Sequence, residues 1–203
     1  MSKEVSVFQE EAGASKIAEA ILGVIGNIPD SNLKESSNPT RDSKKIIKGA
    51  AIKSSLAAGT LALPPGPLGW LTIIPELLAV WRIQAQLVAD IAALHGKTAE
   101  LTEQHMIYCL FRHAAAQLMR DLVVRVGERV LVKRASLRAI QKIVEKIGYK
   151  ILQRSIGKGI SRWLPIVGAA GVASYAYYDT NQVGKTSIDF FSSQITETDS
   201  GDA

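Results

Sequence analysis

The chain has 203 residues, 47% of them apolar and 6% aromatic, with a formal net charge of +5. That length supports one domain with its own hydrophobic core, and the lone cysteine, Cys109, excludes an intrachain disulfide. The opening MSKEV lacks the charged-then-apolar layout of a secretory signal, so a cytoplasmic location is the expectation.

The charge is uneven. Residues 112–162 carry 13 Lys/Arg against Asp121, Glu128 and Glu145, a local balance of +10 that leaves −5 for the rest of the chain. Such asymmetry points to an acidic partner, an anionic lipid surface or nucleic acid, with a solvated helix face as the plain alternative.

Residues 5–26 place Val5, Phe8, Ile17, Ala18, Ile21, Leu22 and Ile25 in an amphipathic pattern, which predicts a short N-terminal helix ending near Gly26. Residues 29–43 (PDSNLKESSNPTRDS) have the composition of a mobile linker. Residues 1–43 are therefore expected to stand apart from the main domain as helix and flexible linker. Ser43 suits the N-cap of the next helix, with Ile46, Ile47, Ala50, Ala51 and Leu56 on one side and Lys44, Lys45, Lys48 and Lys53 on another. Its Gly and Ala residues allow a close helix crossing, and Pro64-Pro65-Gly66-Pro67 then reverses the chain.

The helix predicted over 70–94 is apolar almost all round, which marks it as buried. The 22-residue run 54–75 carries no charge, but its prolines and glycines favour a buried hairpin or a shallow membrane insertion over an integral span. Arg82, Gln86 and Asp90 sit four apart on one face of the central helix, and Glu76 lies earlier on another azimuth. Isolated buried charges cost several kcal/mol, so these four are expected to form a buried polar network with Arg82 paired to Asp90. A ligand or proton site is the alternative.

Gly96 is placed to end that helix and Thr102 to open the next, which the apolar spacing carries to Gly127. A further helix is predicted from about Glu128. Its Leu137, Ile140, Val144, Ile147 and Ile151 form an apolar stripe, while Arg134, Arg138, Lys142, Lys146, Lys150, Arg154, Lys158 and Arg162 recur every four residues. Like charges at that spacing disfavour a helix slightly, so Arg138 to Lys158 in this row are the candidate contacts for an anionic surface or acidic partner. Gly157, Gly159 and Pro165 break the pattern, Gly168 and Gly171 permit close packing, and a last amphipathic helix carries Val183, Ile188, Phe190 and Phe191. The acidic residues 193–203 are expected to be disordered.

Several chemistries are excluded. Gly96-Lys97-Thr98 and Gly184-Lys185-Thr186 echo the end of a phosphate-binding loop, but Ile91 and Asp179 stand where its first glycine belongs, so no nucleotide is expected. His105, Cys109 and His113 lie on one helix, yet a rise of about 1.5 Å per residue puts the two histidines roughly 12 Å apart, too far for one metal ion. Nothing supplies Cys109 with a catalytic base. Tyr149 is the sole aromatic of residues 112–162, which argues against nucleic-acid stacking. No cofactor or metal is expected, and no enzymatic reaction.

Four stretches together resemble the EcsC protein family: residues 67–76 (PLGWLTIIPE), 86–96 (QLVADIAALHG), 163–171 (WLPIVGAAG) and 183–191 (VGKTSIDFF). The resemblance covers about 44–192. His95 stands where members often have Tyr before the glycine that ends the central helix. The family's namesake is encoded beside an ABC transporter implicated in secretion, and its members have no agreed biochemical activity. The resemblance thus implies an all-helical bacterial protein at the cytoplasmic face of a membrane, and it carries over no catalytic residues.

These readings combine into an all-α single-domain helical bundle around a buried proline-broken hairpin, the 46–61 and 70–94 pair. The expected role is a non-enzymatic accessory protein, cytoplasmic and peripheral to the inner membrane, possible as a homo-oligomer and linked to transport or secretion. One rival is a soluble binding protein with an apolar-ligand pocket framed by 63–74 or an acidic protein partner. Another is an enzyme in which Glu76, Arg82 and Asp90 converge in an open cleft.

Overall fold

The computed structural model describes residues 2–61, 69–119, 123–126, 129–132, 136–157 and 165–193. Within them lie α1 (Ser2–Gly26), α2 (Pro39–Leu61), α3 (Gly69–Leu94), α4 (Glu103–Ala115), α5 (Leu137–Gly157) and α6 (Pro165–Ser193), with a short 3-10 turn at Thr98–Glu100. The fold is an all-α helical bundle. A small antiparallel hairpin, β1 (Val123–Val126) and β2 (Arg129–Val132), is added to it where one helix was expected to end at Gly127 and the next to start near Glu128. The Val-rich runs flank Gly127-Glu128, and Val126 pairs with Arg129 across that two-residue connection. β-branched residues on either side of a two-residue Gly-X loop favour a hairpin over a helix.

The helix ends follow from local chemistry. Asn38 caps α2, its Oδ1 accepting from the Arg41 N–H at 3.2 Å, and Pro39 occupies the first helical position, where its missing donor costs nothing. Ser43, expected as the cap, instead lies inside α2 and is fully buried. Gly96, at φ +68°, ends α3 with Gly96 N–H to Ala93 O (3.0 Å) and Lys97 N–H to Ala92 O (2.8 Å). This paired arrangement satisfies carbonyls that the helix leaves open. Thr102 caps α4 as its position implies, accepting from the His105 N–H.

α3 and α6 run parallel, with Gln84 level with Thr180 and His95 level with Ser192. α2 runs antiparallel to both. Gly184 of α6 faces Ile47 so closely that a Cβ there would sit 2.4 Å from an Ile47 side-chain carbon, while Ala58, Val80, Val172 and Ala176 cluster towards the other end. α4 lies antiparallel to α6, with His105 beside Phe190 and His113 beside Asp179. On the far side α1 crosses α5 at Gly148, where an added Cβ would approach the Ala14 carbonyl oxygen to 2.7 Å.

One core joins these layers. Ile21 and Ile25 of α1, Ile91 of α3, Leu110 of α4, Ile147 of α5 and Phe190 of α6 are all fully buried within it. α1 is therefore part of the domain rather than an appendage ahead of residue 44. The segment expected as a mobile linker is docked along α3: Gln86 Nε2 donates to Asp30 O (3.0 Å), Ser31 Oγ to Asp90 Oδ1 (2.7 Å) and Ser36 N–H to Leu94 O (2.9 Å). Polar composition here reflects bonding to a helix edge rather than freedom.

Candidate functional surfaces

α5 buries Ile140, Val144 and Ile147 against the rest of the molecule and turns the opposite side outward. Arg138, Lys142 and Lys146 are exposed there, and Lys150 is half-exposed. These four occupy one helix face, interspersed with exposed Gln141 and Glu145. Arg154 lies within α5, but its side chain is outside the described residues, as is Lys158 altogether. Between α5 and the end of α4 lies an open groove of about 480 Å³, lined by Gln117, Leu118, Glu145, Lys146, Tyr149 and Lys150.

The polar residues of α3 do not form the expected buried network. Arg82 is exposed, and among the described residues no ion pair joins it to Asp90. Asp90 accepts instead from Ser31 Oγ and from Gln86 Nε2 (3.0 Å). The physical reason is coverage: residues 28–36 lie over the Gln86–Asp90 end of the stripe and stop short of Arg82. Glu76 is half-buried, and desolvation raises its carboxyl above the ordinary value. Glu76 and Asp90 are separated by about 21 Å of helix, so Glu76, Arg82 and Asp90 do not converge in a cleft.

A polar cluster that the sequence reading missed lies between α3, α4 and α6. His113 Nε2 donates to Asp179 Oδ1 at 2.6 Å, while Gln84 Nε2 donates to Asp179 Oδ2 (2.8 Å) and to Thr180 Oγ1 (3.1 Å). The carboxylate can only accept, so the imidazole carries its proton on Nε2. His113 Nδ1 and Gln84 Oε1 are buried without a hydrogen-bond partner among the described residues. A faint signal existed, in that Gln84 interrupts the apolar run of α3 and Asp179 is the first charge of α6. The pairing itself required the parallel α3/α6 register.

Cys109 and His105 of α4 are enclosed by the bundle. Cys109 is fully buried and its thiol is pushed up to about 12, chiefly by that burial. His105 stacks on Phe190 at 5.0 Å, and burial lowers its pKa. Among the described residues no group of His, Cys, Asp or Glu is arranged to hold a metal ion.

The end of the bundle formed by the C-terminal part of α2 and the N-terminal parts of α3 and α6 has another character. Residues 54–75 and 164–178 carry no charge. Large apolar or aromatic side chains are open to solvent there: Leu56 is 64% exposed, Tyr175 56% and Tyr178 59%. Leu56 was expected to face inward; it points away from the buried Ala51, Ser54 and Ala58 of the same helix. Residues 74–94 are long and apolar enough to cross a membrane by length and composition, and 61% of that stretch is buried in the bundle.

No protein-family model, curated protein or solved structure matches the chain.

Proposed function

We propose that the protein is a non-enzymatic accessory factor that docks on the cytoplasmic face of a membrane, in keeping with its resemblance to the EcsC family and with a role beside transport or secretion. The observation that carries the reading is the division of α5. Ile140, Val144 and Ile147 of its apolar stripe are taken up by the core, Leu137 at its start is open to solvent against expectation, and Arg138, Lys142 and Lys146 are held outward. Each cation near an anionic leaflet contributes about 1 kcal/mol, decaying within a Debye length. This contact is chiefly electrostatic, since the large apolar side chains that α5 exposes among the described residues, Leu137 and Tyr149, lie far apart along the helix and form no stripe to insert. The non-enzymatic part of the reading is supported by the separation of Glu76 from Asp90 and by the sealed Cys109 thiol.

Co-sedimentation with phosphatidylcholine vesicles, with and without phosphatidylglycerol, tests it. The expected result is pelleting that requires the anionic lipid, weakens with salt and is lost in a Lys142→Glu/Lys146→Glu variant, whose sites are exposed and tolerate the change. Unaltered pelleting of that variant would remove α5 from the contact.

A second reading is favoured by the groove beside α5, where Lys146 and Lys150 flank Leu118 and Tyr149. A mixed basic and apolar trough suits an acidic protein segment with an apolar anchor. Failure of all vesicle binding, together with an intact fold, would shift the weight to that partner.

A further inference from the structure

We infer that the exposed basic face of α2 is the docking surface for this chain's own acidic segment, residues 194–203. The first observation is a second cationic face, which the function proposed above leaves unused. α2 carries Arg41, Lys44, Lys45, Lys48 and Lys53 against the single acid Asp42, a balance of +4 outside the basic region 112–162. All five cations are exposed. Arg41, Lys44, Lys45 and Lys48 recur three and four apart, so they lie on one face of the helix. Asp42 is already engaged, accepting from Ser36 Oγ (2.7 Å) and Lys45 Nζ (2.9 Å). Arg41, Lys44 and Lys48 make no ion pair among the described residues. Like charges at these spacings oppose one another, so an anionic chain lying over them relieves the helix.

The second observation is what emerges beside this face. α6 ends at Ser193, and Ser192 Oγ lies 3.3 Å from His95 Nε2 at the end of α3. Ser36, just ahead of α2, donates its N–H to Leu94 O at the same end of α3. The end of α6 and the start of α2 are therefore neighbours. Residues 194–203 (QITETDSGDA) lie outside the described residues; they hold Glu197, Asp199 and Asp202 and no cation. Their reach matches the cations. Gly184 faces Ile47, and antiparallel packing then puts Ser193 level with about residue 38, so Lys44 and Lys48 stand about 9 and 15 Å farther along α2. Turned back over α2 as extended chain, the segment carries Glu197, Asp199 and Asp202 to about 13, 20 and 30 Å from Ser193. That spans the cations even after crossing the 8–10 Å, roughly, between packed helices.

Other cations are farther away or already compensated. Lys97, at the same end, is buried and bonded to Glu100 (3.2 Å). Lys34 is followed by Glu35, and Lys185 has Asp189 one turn on. α5 lies beyond α4 and α1 from α6. Its Lys146 and Lys150 stand beside Gln117 and Leu118, past the end of α4, whereas His105 at the start of α4 is the residue level with Phe190, a separation of at least about 15 Å. Tethering selects the chain's own segment over a foreign anion. Exposed ion pairs are individually weak, and attachment to α6 holds these acids beside α2 at an effective concentration on the order of millimolar. While the segment is docked, α2 is neutralised and α5 is left as the cationic face. That consequence, unlike the docking, rests on the membrane reading above.

The test places a nitroxide on Ser200→Cys of the full chain, since the native Cys109 is fully buried and does not compete for the reagent. Paramagnetic attenuation of backbone amide signals is read without lipid. The expected result is attenuation that runs along α2 from Lys44 to Lys53, is relieved by about 0.5 M salt and is lost in Lys44→Glu/Lys48→Glu, whose sites are exposed and whose far-UV spectrum is unchanged. Attenuation confined to residues around Ser193, Ser36 and Leu94 and indifferent to salt overturns the docking, because a tethered but undocked segment produces that pattern. Attenuation of residues 138–150 instead assigns the segment to α5 and overturns it equally. So does transfer of the α2 pattern to isotope-labelled protein mixed with unlabelled nitroxide protein, which places the segment on a second copy. In a second arm, Glu197→Gln/Asp199→Asn/Asp202→Asn is expected to bind phosphatidylglycerol vesicles about tenfold more tightly than the native chain, because α2 then meets the head groups. Equal binding by the two proteins, or none, removes that consequence and leaves the docking to the attenuation alone.

Discussion

His105 makes a residue-scale statement about stability. Its Nδ1 is buried without a hydrogen-bond partner among the described residues, and its ring packs on Phe190. Burial lowers its pKa below the ordinary 6.5, against a smaller opposing pull from Glu100. The unfolded chain therefore takes up a proton near that pH that the folded chain resists, and stability falls as pH drops through the unfolded value. Thermal melts from about pH 7.5 down to about 5.5 are expected to shift to lower temperature, and His105→Leu is expected to flatten that slope. An unchanged slope in the variant would show that His105 does not titrate differently in the two states. Glu76 acts with the opposite sign. Its raised carboxyl contributes stability at low pH that is lost as pH rises above the ordinary carboxylate value of 4.5, so the two windows are separable.

At the scale of elements, two helix crossings depend on glycine for different reasons, and substitution separates them. A Cβ on Gly148 meets the Ala14 backbone oxygen at 2.7 Å, whereas a Cβ on Gly184 meets the Ile47 side chain. Gly-to-Ala in a helix gains up to about 1 kcal/mol in propensity, and overpacking costs about 1–3 kcal/mol. Gly148→Ala is expected to destabilise in urea unfolding with no side-chain partner able to relieve it. Gly184→Ala is expected to be rescued in part by Ile47→Ala; equal behaviour of the two sites would contradict the crossing geometry. The sequence made part of this legible, because Gly96, Thr102 and the apolar stripe of α5 are signals that act locally. It was silent where a local pattern had two readings. The Val-rich residues 123–132 fit a helical spacing and a hairpin alike, and only the two-residue Gly-Glu connection decides. Asn38-Pro39 is as strong a start as Ser43 but was hidden in a polar stretch. The Asp90 contacts depend on where residues 28–36 lie, which no periodicity in α3 encodes. The candidate surface was half legible: Lys142 and Lys146 point outward as their spacing implies, while the exposure of Leu56 depends on which side of α2 meets α6.

At the scale of the whole molecule, the proposed α5 contact acts before the surfaces meet, and kinetics can show it. The +10 carried by residues 112–162, set against −5 elsewhere, gives the protein a charge asymmetry that an anionic surface senses before contact. At physiological ionic strength that field extends about 8 Å, so it governs approach and orientation. Charge reversal at Lys142 and Lys146 is therefore expected to slow association with anionic vesicles and reduce its salt dependence, with the dissociation rate little changed. Stopped-flow energy transfer from tryptophan to dansyl lipid measures both rates in one experiment. If the charge-reversed variant instead associates at the native rate and only dissociates faster, the field of α5 does not steer approach. The cations of α5 then act only after arrival, as short-range contacts with single head groups.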